Sequence, residues 1–416
     1  MPIQALRGFR DFYPEDQATI TYLREKIAAS CAKFGYEEFE GPMLESIDLY
    51  AAKSSEEIVN EQAFTLEDRG GDRITLRPEL TPTLARMVAA KQQQLTFPLR
   101  WWCFGRFWRY ERPQKGRGRE FYQWNLDLLG QNTADADAEI IEISIDFLQS
   151  VGVTSDDVVF EINDRSFAEQ LLRENNIDTE KTSAVFQLVD RLAKLNSEEK
   201  LAFGLARGLS ESDVTKITEL FSAESTAWEQ SERIQALLTL FENKGLSSWV
   251  RPNLSIVRGF TYYTGLVFEV TVKTGQSRAL LGGGRYSNLV SDMGGQPVEG
   301  VGMGMGDMSI AIFLEEKGLL PEYTTSTKAC VIGLGPDTAA FCQEVATTLR
   351  NATIPTILYG TPENFGKGLK FAGNKKIPYA LLIGPDELLN KTVTLKNLET
   401  GEQETSSLET ILEKLT

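Results

Sequence analysis

Residues 101–130, WWCFGRFWRYERPQKGRGREFYQWNLDLLG, restrict the fold more than any other stretch of the chain. Two strand-like runs flank a basic loop, and because side chains alternate across a strand, each run sorts into two faces. On the first run Trp102, Phe104, Trp108 and Tyr110 share one side, while Gly105, Arg109 and Glu111 share the other. On the second, Tyr122, Trp124, Leu126 and Leu128 form the apolar set, opposed by Phe121, Gln123, Asn125 and Asp127. One face is therefore dry, and the other gathers Arg109, Glu111, Phe121, Gln123 and Asp127. A buried arginine or aspartate is costly without a partner, so this second face is expected to line a ligand site. Between the runs, Arg112, Lys115, Arg117 and Arg119 crowd around Gly116 and Gly118, a charge density that suits a polyphosphate.

The chain as a whole bounds the classes open to such a site. With 416 residues, 42% hydrophobic and 25% charged, it reads as a globular protein of two or three domains. No apolar run is long enough to cross a bilayer, and MPIQALRGFRDFYPED lacks the layout of a signal peptide, so no membrane partner and a cytoplasmic location are expected. Cys31, Cys103, Cys330 and Cys342 have no paired metal spacing and read as reduced, buried thiols. Histidine is absent, which removes Ser-His-Asp hydrolysis, Cys-His proteolysis and His-ligated metals. A net charge of −16 sets solubility and long-range steering, while a local basic patch can still hold a nucleic acid.

Further along, the order Phe107-Trp108-Arg109-Tyr110-Glu111-Arg112-Pro113-Gln114, then Gly116-Arg117, then Phe121-Tyr122-Gln123 resembles motif 2 of class II aminoacyl-tRNA synthetases, in the version carried by histidyl-tRNA synthetases. Other segments agree. A helix from Pro14 to Phe34, with Ile20, Leu23, Ile27 and Cys31 at helical spacing, precedes the extended YEEFEGPMLES, the layout of the family's motif 1, which in relatives builds a dimer interface. Arg258-Gly259, Tyr262-Tyr263, Gly265 and Phe268-Glu269 match a segment specific to the histidine enzymes, although an acid usually stands where this chain has Thr261. LLGGGRYSNLV matches a second specific signature at Gly282 to Tyr286.

The resemblance implies an α+β fold: a class II antiparallel sheet with flanking helices (1–164 and 251–320), a helical insertion (165–250), and a C-terminal α/β anticodon-binding domain with a mixed sheet (327–416). It implies ATP-dependent formation of histidyl-adenylate and transfer of histidine to tRNA(His). The expected partners are tRNA(His), histidine and ATP, with a homodimer as the assembly, and Mg2+ bridging the phosphates. Carried over residue by residue, Glu79 and Thr81 hold the amino group of histidine. Gln123 assists at its carboxylate, Asp127 accepts the imidazole N–H, and Tyr262 and Tyr263 lie against the side chain. Arg109 and Arg258 approach the α-phosphate from opposite sides. Glu111 and Phe121 take the adenine, Arg117 the phosphates, and Gly283, Gly284, Arg285 and Tyr286 form a specificity loop. No protein metal ligands are implied.

One motif departs from the pattern. In GVGMGMGDMSIAIFLEE, glycines at 300, 302, 304 and 306 leave one strand face bare, with room for adenine at Gly304 and Gly306, and Asp307 is expected to cap the following helix. The family's arginine in that first turn, which grips the terminal phosphate of ATP, aligns with Ser309. Arg112, Arg117 or Arg119 is expected to take its place. The same substitution leaves a second reading open, a catalytically weak or silent synthetase-like regulator or RNA sensor.

Overall fold

The computed structural model describes residues 3–51, 61–222, 224–257, 262–274, 279–360 and 362–416. They fall into two compact units, Met1–Leu320 and Pro321–Thr416.

The first unit begins with α1 (Pro14–Lys33). Proline opens it where its missing N–H costs nothing, Glu15 and Asp16 sit at its positive end, and Gly35 at φ +74° ends it. The strands β1 (Glu37–Glu38), β2 (Leu44–Ser46), β3 (Phe64–Glu67) and β4 (Arg73–Leu76) follow, with α2 (Ile47–Ala51) after β2 and α3 (Thr81–Lys91) after β4. The central hairpin is β5 (Leu99–Trp108) and β6 (Glu120–Leu129). Then come α4 (Ala134–Ser150), β7 (Val158–Asp164) and five helices, α5 (Arg165–Glu174), α6 (Thr182–Val189), α7 (Ser197–Leu205), α8 (Glu211–Leu220) and α9 (Glu232–Asn243). The unit closes with β8 (Val250–Pro252), β9 (Leu266–Val272), β10 (Ala279–Tyr286), α10 (Leu289–Asp292), β11 (Gly300–Gly306) and α11 (Asp307–Glu316).

Eight strands form one sheet in the order β1-β5-β6-β11-β10-β9-β7-β8. The interior pairs are antiparallel and the two outermost, β1–β5 and β7–β8, are parallel. The faces of the hairpin separate as alternation requires. Trp102, Phe104, Trp124, Leu126 and Leu128 are buried in the main core with Ile27 of α1 and Phe147 of α4, and the Trp124 and Phe147 rings lie 5.2 Å apart. Each such large side chain taken from water contributes roughly 1.5–3 kcal/mol. On the opposite face Gly105 pairs with Gln123 and Phe107 with Phe121.

Helices α5 to α9 add to this same core rather than forming one of their own. Phe167, Leu188, Ile217, Phe221, Leu237 and Phe241 belong to the apolar cluster that lies under the sheet. Side-chain caps at Asp164 (α5), Asn196 (α7), Ser210 (α8) and Ser231 (α9) satisfy otherwise orphaned N–H groups.

In the second unit the strands are β12 (Ala329–Gly333), β13 (Thr356–Gly360), β14 (Tyr379–Ile383), β15 (Thr392–Asn397) and β16 (Gln403–Ser407), ordered β13-β12-β14-β15-β16. The first three run parallel and the last two antiparallel, the mixed sheet that the sequence pattern predicts. Strand β12 is buried on both faces. Ala329 and Val331 join the cluster that includes Val345 of α12 (Ala339–Asn351), and Cys330 and Ile332 join the one with Ala372 of α13 (Phe365–Asn374). Lys367, Lys370 and Lys375 are exposed, and the exposed Lys376 pairs with Glu322 at 2.6 Å. α14 (Pro385–Asn390) follows β14, and the chain ends in α15 (Leu408–Leu415).

Candidate active site

The polar face of the β5–β6 hairpin is one wall of a cavity of about 310 Å³, closed by the start of α3, by β10 and β11, and by the start of α11. Glu79, Thr81, Arg109, Glu111, Arg117, Phe121, Gln123, Asp127, Tyr262, Tyr263, Tyr286, Gly304 and Gly306 all line it. Residues assigned from five separate sequence segments thus converge on a single space. Arg258 lies outside the described residues.

One end of the cavity is built from carboxylates and tyrosines. Glu79 precedes α3 and is 2% exposed, and Tyr262 donates its hydroxyl to Glu79 Oε2 at 3.0 Å and also hydrogen-bonds Thr81. Asp127, 3% exposed, accepts from the Tyr286 hydroxyl at 2.7 Å. Burial keeps Tyr262, Tyr263 and Tyr286 protonated well above the ordinary range, reinforced by the charges of Glu79 and Asp127. They can therefore act as donors. Burial also lifts the Asp127 carboxyl to about 7, against the pull of the Tyr286 hydrogen bond. A cationic or N–H-bearing group entering between Glu79 and Asp127 finds two acceptors and the Tyr263 ring, which packs on the bare backbone of Gly284.

The other end is cationic. Arg109 Nε donates to the Pro78 carbonyl at 2.9 Å, and its guanidinium lies 5.3 Å over the Phe121 ring. Both positions are fixed by backbone and ring rather than by a mobile partner. Glu111 stands between two guanidinium groups, 4.0 Å from Arg109 and 3.2 Å from Arg117. The adenine-reading role implied for Glu111 therefore competes with its hold on Arg117. Between the two ends, Gln123 donates to Asn125 Oδ1 at 3.0 Å. Asn125, which the family motifs do not mark, borders the cavity as well, where strand parity places it beside Gln123 and Asp127.

Several expectations are corrected by packing. Gly283, Gly284, Arg285 and Tyr286 lie on strand β10, not in a loop, and of these four only Tyr286 borders the cavity. Arg285 is 2% exposed; Nε and Nη2 donate to Asp137 Oδ1 at 2.9 and 2.5 Å, and Nη1 donates to the Gln131 carbonyl at 2.8 Å. Asp137 also accepts from Arg233 of α9 at 2.6 Å, so this cluster ties the inserted helices to the sheet. Gly283 is glycine because a Cβ would strike the Gly302 carbonyl and Met303. The bare face of β11 is not open along its length. Gly302 lies under the Asp127 carboxylate and Gly304 under the Gln123 amide, leaving open space only at Gly306. Asp307 is the first residue of α11, after the N-cap Gly306, and accepts from Arg10 at 2.7 Å and from the Tyr122 N–H at 2.9 Å. It is a clamp between the N-terminal segment and β6. Arg109 and Glu111 lie past the last residue of β5, so their place comes from the Arg109 N–H bond to the Arg119 carbonyl at 3.0 Å. Of the three proposed substitutes for the missing arginine, Arg119 stacks 3.7 Å over Tyr110 and bonds the Glu111 carbonyl at 3.2 Å, and Arg112 does not border the cavity. Arg117 does.

Two expected results follow from these contacts. Arg285→Lys keeps the charge but loses the two-pronged hold on Asp137, and is expected to cost about 1–3 kcal/mol, read as a lower midpoint of urea unfolding. The Asp127 carboxyl is neutral below about 7 and charged above it, so affinity for a ligand bearing an N–H donor is expected to rise with pH through that range. Because Tyr286 stabilises the charged form, Tyr286→Phe is expected to move the rise to higher pH. An unmoved profile would separate it from Asp127.

A family model described as histidyl-tRNA synthetase matches residues 8–307, and one described as anticodon binding domain matches residues 328–416. A histidine–tRNA ligase of Thermoplasma volcanium is 36% identical over 421 residues, covering 98% of this chain and 97% of that protein. The chloroplastic/mitochondrial histidine–tRNA ligase of Arabidopsis thaliana is 36% identical over 409 residues, covering 95% of this chain and 83% of the relative. Among solved structures, a histidyl-tRNA synthetase from Nostoc superposes with a TM-score of 0.82 at 22% identity, covering 100% of this chain and 99% of that one. An ATP phosphoribosyltransferase regulatory subunit/histidyl-tRNA synthetase from Bacillus halodurans gives 0.73 at 23% identity, covering 92% and 98%. At those identities the two structures speak for the fold.

Proposed function

The chain belongs to the histidyl-tRNA synthetase family, and from that premise we propose that its cavity joins histidine to ATP and passes the histidyl group to tRNA(His). The observation that carries this reading is the polarity of the space along β6: Asp127 with its Tyr286 donor lies six residues from Phe121, over which Arg109 stacks, and Glu79 with Tyr262 and the guanidinium of Arg117 border the same cavity. The histidine ammonium sits on Glu79, with Thr81 and Tyr262 beside it. The imidazole lies along Tyr263 and donates to Asp127. This leaves the α-carboxylate near Gln123, facing the cationic end, where a carboxylate oxygen attacks the α-phosphorus and the bond to pyrophosphate breaks. Arg109 neutralises the charge that builds at that phosphorus, and Arg258 is assigned to the opposite side on the family match alone. A ribose hydroxyl at the end of the tRNA then attacks the carbonyl carbon, and AMP leaves.

Mg2+ fits this site as part of the substrate. Among the described residues no group of three or more acidic or thiol side chains could hold a metal ion, and Glu111, the carboxylate at the cationic end, is engaged by Arg109 and Arg117. The ion would arrive on the ATP phosphates and offset charge that two guanidinium groups do not cover. We assign 1–164 and 251–320 to the catalytic core, 165–250 to the helical insertion and 327–416 to tRNA binding.

A homodimer is supported by the small sheet β2-β4-β3. There Leu44 pairs with Leu76 and Leu66 with Ile74, which puts four aliphatic side chains on one face, with Leu44 46% and Leu66 51% exposed. Leu44→Asp with Leu66→Asp is expected to yield a monomer by sedimentation equilibrium; an unchanged mass would remove this face from the interface. The regulator reading is not favoured, because the ligases it resembles match along nearly the whole chain. Histidine-dependent ATP–pyrophosphate exchange, run against all twenty amino acids, tests the main reading. Exchange with histidine alone supports it, and none, or exchange with another amino acid, overturns it.

A further inference from the structure

A second cavity, of about 200 Å³, opens beside the first. Gly116, Leu280 and Ser309 line both, so the two meet at the tip of the basic loop and the first turn of α11. Its far walls are Ile312 and Phe313 of α11 and Val272 of β9, and Lys115 borders it from the loop. The loop tip is a tight turn. Gln114 and Arg117 exchange backbone hydrogen bonds at 3.1 and 2.9 Å, and Gly116 at φ +79° makes that turn possible. The turn therefore carries Lys115 toward the second cavity and Arg117 toward the first.

Each of these cations rests on a carboxylate. Arg117 is 3.2 Å from Glu111, and Lys115 is 2.8 Å from Glu316. Glu316 lies seven residues beyond Ser309, on the same face of α11 two turns along. Both partners of the Lys115 pair are well exposed, 73% and 60%, and an exposed pair of this kind is weakly held. Arg109, Arg117 and Ser309 all line the first cavity, and Ser309 also lines the second. There a short side chain on α11 leaves space and Lys115 stands within the same wall.

We propose that Lys115 is the donor for the terminal phosphates of the nucleotide, released from Glu316 when the triphosphate enters, and that the junction under Ser309 receives the pyrophosphate end. This rests on the reading of the first cavity as an ATP site. It differs from a role for Arg112, Arg117 or Arg119, because it places the donor on the second cavity's side of the turn.

The test is equilibrium binding of a non-hydrolysable MgATP analogue and of AMP to the full chain. Lys115→Met is expected to weaken the MgATP analogue by about tenfold to a hundredfold and to leave AMP, which lacks the terminal phosphates, unchanged. Lys115→Arg is expected to stay close to wild type. Unaltered binding of the MgATP analogue in Lys115→Met, equal losses for both nucleotides, or a wild-type chain that binds no MgATP analogue would each overturn the proposal. A chain that shows the expected pattern yet no histidine-dependent exchange would sink the synthetase reading and leave the role of Lys115 standing.

Discussion

Replacing Arg109 with glutamine is expected to lower the rate of histidine-dependent ATP–pyrophosphate exchange by about a hundredfold to a thousandfold, the usual cost of one oriented donor at a developing charge. Its Nε is fixed by the Pro78 carbonyl and its guanidinium by the Phe121 ring, so the group is held at the cavity wall without reorganising. Preorganisation of this kind makes the interaction stronger in the transition state than in the ground state. The loss should therefore fall on kcat, with the KM for histidine less altered because Arg109 lies over Phe121, six residues along β6 from Asp127. Glutamine keeps a donor on the side chain, and the fold rests on the opposite, apolar face of the hairpin. A variant with normal exchange would remove Arg109 from the chemistry.

Selectivity is expected to depend on Asp127 by a larger factor. Wild-type protein should prefer histidine over a ring isostere lacking the N–H by on the order of 10⁴–10⁵ in kcat/KM, since a site built around a buried acceptor leaves that acceptor unpaired when the donor is missing. Asp127 is buried with its carboxylate over Gly302 and held by Tyr286, so it cannot turn to water for compensation. Asp127→Ala should collapse most of that preference, by weakening histidine more than by improving the isostere. A preference that survives in Asp127→Ala would place recognition elsewhere in the cavity.

The sequence made much of this arrangement legible through alternation. Period-two patterning in 101–130 separates Trp102, Phe104, Trp124 and Leu126 from Gln123, Asn125 and Asp127, and the structure keeps that division. The motif-based assignments Glu79, Thr81, Tyr262 and Tyr263 also reach the cavity. What local pattern does not carry is the third dimension of glycine and arginine. Glycines at 302 and 304 read as an empty shelf, but the space belongs to side chains from β6, the strand paired beside them. Arg285 sits in a specific signature and reads as a ligand contact, yet its partner Asp137 is 148 positions away on α4. Asp307 has the type and place of a helix cap, and the N-terminal segment claims it through Arg10. In each case a long-range partner outbids the local reading.

A crystal structure of the protein with histidine and a non-hydrolysable MgATP analogue bound will show where each substrate sits. The imidazole N–H is expected at hydrogen-bond distance from Asp127, the ammonium on Glu79, and the α-phosphate between the guanidinium groups of Arg109 and Arg258. Histidine bound with its ring toward Arg109, or an α-phosphate that neither arginine reaches, would contradict that placement.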